Sequence, residues 1–132
     1  MSQASLATIA TDETLVLDTI ATYLQALHKA DKGLFSEAFA ETAHVMHCSI
    51  ADEKMTILTL PAFLDVVDGL HKEHGYVEEF HSNPIVSVSG PVASVLVPFV
   101  LKLGSAEVLG TDVFSLARSS GKWTIVNKLY SA

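Results

Sequence analysis

Apolar residues first recur at helical spacing: Val16, Ile20, Tyr23, Leu24 and Leu27 fall on one face. Asp12 and Glu13 open that helix, because negative charge suits a helix N-terminus. Asp31 reads as the cap of a second, shorter helix whose apolar face holds Leu34, Phe35, Ala38 and Phe39. His44 to Ile50 reads as a strand and Met55 to Leu58 as another. Thr59 can cap a third helix, with Pro61 tolerated in its first turn, a buried stripe of Phe63, Val67 and Leu70, and a stop at Gly75. From Val77 onward the period is two: Val86 and Val88 alternate with Ser87 and Ser89. Gly90-Pro91 turns the chain. Val92 to Leu103 is almost continuously apolar and predicts a strand buried on both faces. Gly104-Ser105 turns it again, and the runs Ala106–Arg118 and Lys122–Tyr130 flank Ser119-Ser120-Gly121.

Helices followed by several strands joined by tight turns predict an α+β fold, with three helices on one side of a strongly curved antiparallel sheet. Residues 1–11, small and polar, read as a flexible N-terminal segment, and 12–132 as one domain. There is no internal repeat, low-complexity tract or linker.

Composition narrows the partners. With 49% hydrophobic and 17% charged residues, the chain can fill a core and disorder is excluded. A net charge of −7 argues against nucleic acid and anionic membrane surfaces. The longest apolar run, Val92 to Leu101, is too short to span a bilayer and is interrupted by Ser94 and Pro98. The N-terminus has no secretory signal pattern. One cysteine, Cys48, excludes an internal disulfide, reads as a small buried hydrophobe, and makes the cytoplasm the expected compartment.

The candidate chemistry centres on Asp112. It shares a strand face with Val108, Gly110, Phe114 and Leu116, and a carboxylate there is costly unless paired or protonated. A three-residue loop at Ser119-Ser120-Gly121 places Asp112 opposite Lys128; a two- or four-residue loop places it opposite Leu129 or Asn127. Two readings stay open. Asp112 is a neutral acid that donates a hydrogen bond into an apolar pocket, or it is fixed to Lys128 or Asn127 as a structural pair. Tyr23 lies on the apolar face of the first helix, as a core residue or a ligand contact. His47 shares a face with Val45 and Ser49, as a structural residue or a base. Cys48 points away from His47, which removes a Cys-His nucleophile pair. His44 and His47 point to opposite faces, and His71 and His74 have no companion ligands, so no metal is expected. Trp123 and Ile125 read as core.

The stretch YLQALHKADKGLFSEAFAETAHVMH, Tyr23 to His47, resembles the opening of the nuclear-transport-factor-2-like superfamily. The ending TDVFSLARSSGKWTIVNKLY, Thr111 to Tyr130, is most similar to its branch labelled putative lumazine-binding. The resemblance runs from Asp12 almost to the end. It implies a cone-shaped fold, a curved sheet around a pocket closed by three helices, commonly dimeric, in a superfamily that hosts ketosteroid isomerases, polyketide cyclases, dehydratases and non-enzymes. Residue by residue, Tyr23 matches the isomerase tyrosine that donates to the substrate oxygen, and Asp112 matches its second donor. His47 stands where that enzyme keeps an aspartate base. The implied partner is a small organic ligand, bound without a cofactor through Tyr23, His47, Asp112, Phe114, Asn127 and Lys128. The implied activity is acid/base isomerase, cyclase or dehydratase chemistry with His47, Asp112 and Tyr23 catalytic. The alternative is a non-catalytic carrier or dimeric scaffold. A second copy is expected on the outer face of the sheet.

Overall fold

A computed structural model describes residues 11–132. All but Thr11 of the expected N-terminal segment lies outside the described residues. Thr11 itself is the N-cap of the first helix, its hydroxyl accepting from the Thr14 N–H at 3.1 Å. That helix, α1 (Asp12–Lys29), buries Val16, Ile20, Tyr23, Ala26 and Leu27. Asp31 caps α2 (Lys32–Ala38) through the Leu34 N–H. Phe39 is already extended, so it opens β1 (Phe39–Cys48) instead of closing α2. The strand starts five residues before the expected His44: buried Phe39 already pairs with Ile125, and the register shifts between it and His44. Cys48 is half-buried, not the core residue expected.

β2 (Met55–Thr59) leads into α3 (Leu60–His74), capped by Thr59 with Pro61 in its first turn and ended by Gly75 at φ 74°. Then follow β3 (Val77–His81), β4 (Ile85–Ser89), β5 (Val92–Leu103), β6 (Ala106–Ser119) and β7 (Lys122–Ser131). The seven strands form one curved, unclosed sheet in the order β2-β1-β7-β6-β5-β3, with β4 also on β5. The sheet is mixed, because β1 runs parallel to β7 while the other pairs are antiparallel. β3 and β4 share one edge of β5, and Pro98, which has no N–H to give a ladder, sits at the seam between them.

All three helices lie on the inner face, so β5 is covered on one side only: Ala93, Val95, Val97 and Phe99 are buried, while Val92, Ser94, Leu96 and Pro98 are exposed. The continuous apolar run predicted two buried faces; among the described residues no further element covers the second. Trp123 and Ile125 are core. Polar ties fix the helices. Arg118 and the Trp123 indole donate to Asp12 at 2.9 and 3.3 Å. His28 bonds the Val77 carbonyl at 2.9 Å, and His71 the Leu27 carbonyl at 2.8 Å. No helix among the described residues is long and apolar enough to cross a membrane.

Candidate functional site

The inner face carries a group of ionisable side chains supplied by four elements. Strand alternation turns Val77, Glu79 and His81 of β3 inward. β6 contributes Asp112, β7 contributes Lys128 and Tyr130, and α1 contributes Tyr23. Glu79, Asp112, Lys128 and Tyr23 are all buried. β5 lies between β3 and β6, so in a flat sheet their backbones would stand roughly 10 Å apart. Curvature lets the side chains meet across it. His81 Nε2 stands 2.6 Å from Glu79 Oε2 and 2.9 Å from Asp112 Oδ2. The Tyr23 hydroxyl donates to Glu79 Oε1 at 3.0 Å. Lys128 Nζ is 3.4 Å from Asp112 Oδ1 and 3.9 Å from Glu79 Oε1.

The environments split the two acids. Burial pushes both up. For Glu79 the Lys128 charge and the bonds from His81 and Asp112 win, and its pKa falls to about 2. For Asp112 burial wins, aided by the neighbouring Glu79 charge, and its pKa rises to about 6 against the pull of Lys128 and His81. Burial works against the His81 cation, yet bonds to Asp112 and Glu79 raise it to about 9. Lys128 is likewise held charged by Glu79 and Asp112 despite burial. Burial, with Glu79 and Asp112 beside it, keeps the Tyr23 hydroxyl protonated.

Above this group lies a hollow of about 60 Å³ under α3. Tyr23, Glu79, Lys128 and Tyr130 form its polar floor; its walls include Leu27, Phe63, Leu70 and Leu101. Lys128 Nζ lies 4.2 Å from the Tyr130 ring centroid, 5.3 Å from Tyr23, 5.8 Å from Phe63 and 6.0 Å from Phe99. Among the described residues Lys128 makes ion pairs but no hydrogen bond, and Asp112 Oδ1 is a buried acceptor without a donor. Of the three ammonium donors one can turn to Asp112 Oδ1 at 3.4 Å, which leaves donor capacity beside the cavity.

The β6–β7 register differs from the expected one. The loop is two residues, Ser120-Gly121, with Ser119 opposite Lys122, and a bulge at Val126 then shifts the pairing by one. Asp112 stands opposite Tyr130, and Phe114 opposite Lys128. Asp112 nonetheless meets Lys128 diagonally. Asn127 pairs with Ser115 and with exposed His44, which puts it on the outer face, away from this group. Phe114 is buried, with its ring centroid 5.7 Å from that of Tyr23. His47 is on the inner face, two strands from Asp112, with Tyr130 between them in the ladder and stacked on its ring at 4.7 Å. Asp112 does not line the hollow itself.

Glu79 and His81 escaped the sequence reading. Their signal was present: in Val77-Glu78-Glu79-Phe80-His81, period two places both on the face of Val77. Glu79, His81 and Asp112 offer three ligand atoms within 4.8 Å, close enough to converge on one ion. The positive charge there belongs to His81 and Lys128.

Residues 11–131 match the family described as "Putative lumazine-binding". The chain belongs to this family. The domain also has solved structural relatives. A nuclear-transport-factor-2-like protein of unknown function from Shewanella baltica is 21% identical, with a TM-score of 0.68 over 98% of this chain and 95% of that one. One from Silicibacter pomeroyi, also of unknown function, is 17% identical, TM-score 0.65, over 98% of each chain. One from Cytophaga hutchinsonii is 12% identical, TM-score 0.69, over 100% of this chain and 99% of that one. At these identities the likeness establishes the nuclear-transport-factor-2-like fold and nothing finer. No curated protein matches this chain.

Proposed function

We propose that this domain binds a small organic molecule in the hollow beneath α3, with its apolar walls around the ligand body and Lys128 at the polar end. The observation that carries this is Lys128: a buried ammonium with no hydrogen bond among the described residues, lining a cavity. Buried polar groups are nearly always bonded, and an acceptor brought by a ligand would complete this one. Tyr23 and Asp112 support the site differently from the isomerase pattern. The Tyr23 hydroxyl is already given to Glu79, and Asp112 backs Lys128. Asp112 would position Lys128 from behind, while Tyr23 would meet the ligand as part of the floor, with its hydroxyl proton already committed to Glu79.

A second function, proton transfer to the bound ligand, is favoured by one observation: two adjacent carboxyls held at about 2 and about 6. In that version Asp112 is the group that gains and loses the proton near neutrality. His47 fits this less well, because the Tyr130 ring intervenes. We further assign a second copy of the chain to the outer sheet face and the cytoplasm as the compartment, the latter from the free Cys48.

The test is native mass spectrometry of the protein purified under non-denaturing conditions. A co-purifying compound lost in Lys128→Met but kept in Asn127→Ala is expected, since Asn127 lies on the other face. Retention in Lys128→Met, or loss only in Asn127→Ala, would move the site elsewhere.

A further inference from the structure

Taking that hollow as the ligand site, we propose that it selects uncharged ligands, accepting an amide or ketone oxygen on Lys128 and excluding carboxylates. One acid and one base, Glu79 and Lys128, line the floor, and Asp112 and His81 stand directly behind them. Glu79 and Asp112 face His81 and Lys128 at 2.6 to 3.9 Å, and no other ionised side chain lines the hollow. At pH 7.5, above the Asp112 value of about 6, both acids have lost their protons and both bases hold theirs, so the four charges cancel.

That balance decides what can enter. A neutral carbonyl oxygen takes a hydrogen bond from the ammonium and leaves the sum at zero. A carboxylate takes the same bond but leaves one negative charge uncompensated beside two carboxylates in a dry site, which is the costly case. The isolated lysine would attract anions; this one has its charge already answered. Its ammonium keeps donor capacity for a ligand, because its three N–H groups meet one carboxylate oxygen at 3.4 Å and another only at 3.9 Å, and the aromatic rings only cradle it. The lining from α3 agrees: Phe63, Val66, Val67 and Leu70 are all apolar, and Val66 is 45% exposed.

Acetamide and acetate form a matched probe pair of the same shape, small enough for this hollow and differing in charge, and xenon serves as the apolar control. Binding is followed by amide chemical shifts of Phe63, Leu70 and Leu101 in the ¹⁵N-labelled protein. Acetamide is expected to bind at least ~10-fold tighter than acetate at pH 7.5, and Lys128→Met to erase its advantage over xenon. Asp112→Asn makes the charge cluster net positive and should strengthen acetate ~10-fold while moving acetamide less than ~3-fold. Acetate binding as well as acetamide in the wild type would overturn charge selection while leaving the cavity as a ligand site. So would xenon binding as well as acetamide with no effect of Lys128→Met. No shift with any of the three probes would overturn the cavity as a site altogether. If Lys128→Met does not fold, the wild-type pair and Asp112→Asn decide.

Discussion

His81 holds a proton between two carboxylates, so its charge belongs to the fold. Its pKa is raised from 6.5 to about 9 by Asp112 and Glu79 against the effect of burial. A raised base contributes stability that is complete below 6.5 and lost as pH climbs through 9. Glu79, lowered from 4.5 to about 2, contributes above 4.5 and loses that as pH falls through 2. Asp112, raised from 3.8 to about 6, favours the folded state below 3.8, and the contribution disappears as pH rises through 6. Lys128 and Tyr23, the other groups facing this cluster, stay protonated throughout. Together these groups predict that stability declines from pH 6.5 to 9 by an amount on the order of 2 kcal/mol, because each tenfold change in proton affinity is worth about 1.4 kcal/mol. Urea unfolding at pH 6.5, 7.5 and 9 measures it, and His81→Gln should flatten the decline. An equally steep decline in that variant would mean that His81 is not its source.

At the level of elements, the β6–β7 hairpin determines which β7 side chains reach the interior. Ser120 and Gly121 both have positive φ, 52° and 77°, as a two-residue turn matched to strand twist requires. Trp123 and Ile125 point inward; strict alternation would then send Asn127 inward and Lys128 outward. The extra residue Val126 exchanges them. Further along β6, Gly110 lets β5 and β7 crowd the backbone. A Cβ there would collide with the Ser131 carbonyl and lie 2.6 Å from Phe99 Cζ. Gly110→Ala should therefore cost about 3 kcal/mol, an overpacked site with backbone on one side. The check is the denaturant midpoint at pH 7; an unchanged midpoint would show that β7 can retreat freely.

For the whole molecule, the outer face of the sheet is the surface left to explain. Ile57, Met46, Leu129, Val113, Leu96 and Ile85 pair in sequence across six strands and form one uncharged apolar row. Five strand spacings make it about 24 Å long. Exposed continuous apolar surface of this kind marks an interface, and a second copy turned about a two-fold axis presents the same row. The proposed dimer predicts a mass near twice 14.1 kDa by light scattering at micromolar concentration. Val113→Glu, at the middle of the row, should give the monomer. A monomeric wild type would refute the pairing.

The element order, the Asp31 and Thr59 helix caps and the inward aim of Asp112 and Tyr23 were legible in the chain, because caps and periodicity are local and act through neighbours a few residues apart. The α+β class followed from them. Three things were decided only in three dimensions. The Val126 bulge chose Lys128 over Asn127, since the register of a hairpin depends on how the whole ladder closes. The curvature of the sheet joined Glu79 and His81 to Asp112 across an intervening strand, a contact no spacing encodes. The outer face of β5 stayed exposed although its sequence is apolar on both faces, because no described element packs over it. Local periodicity tells a side chain which way to point; only the bend of the sheet tells it what it will meet.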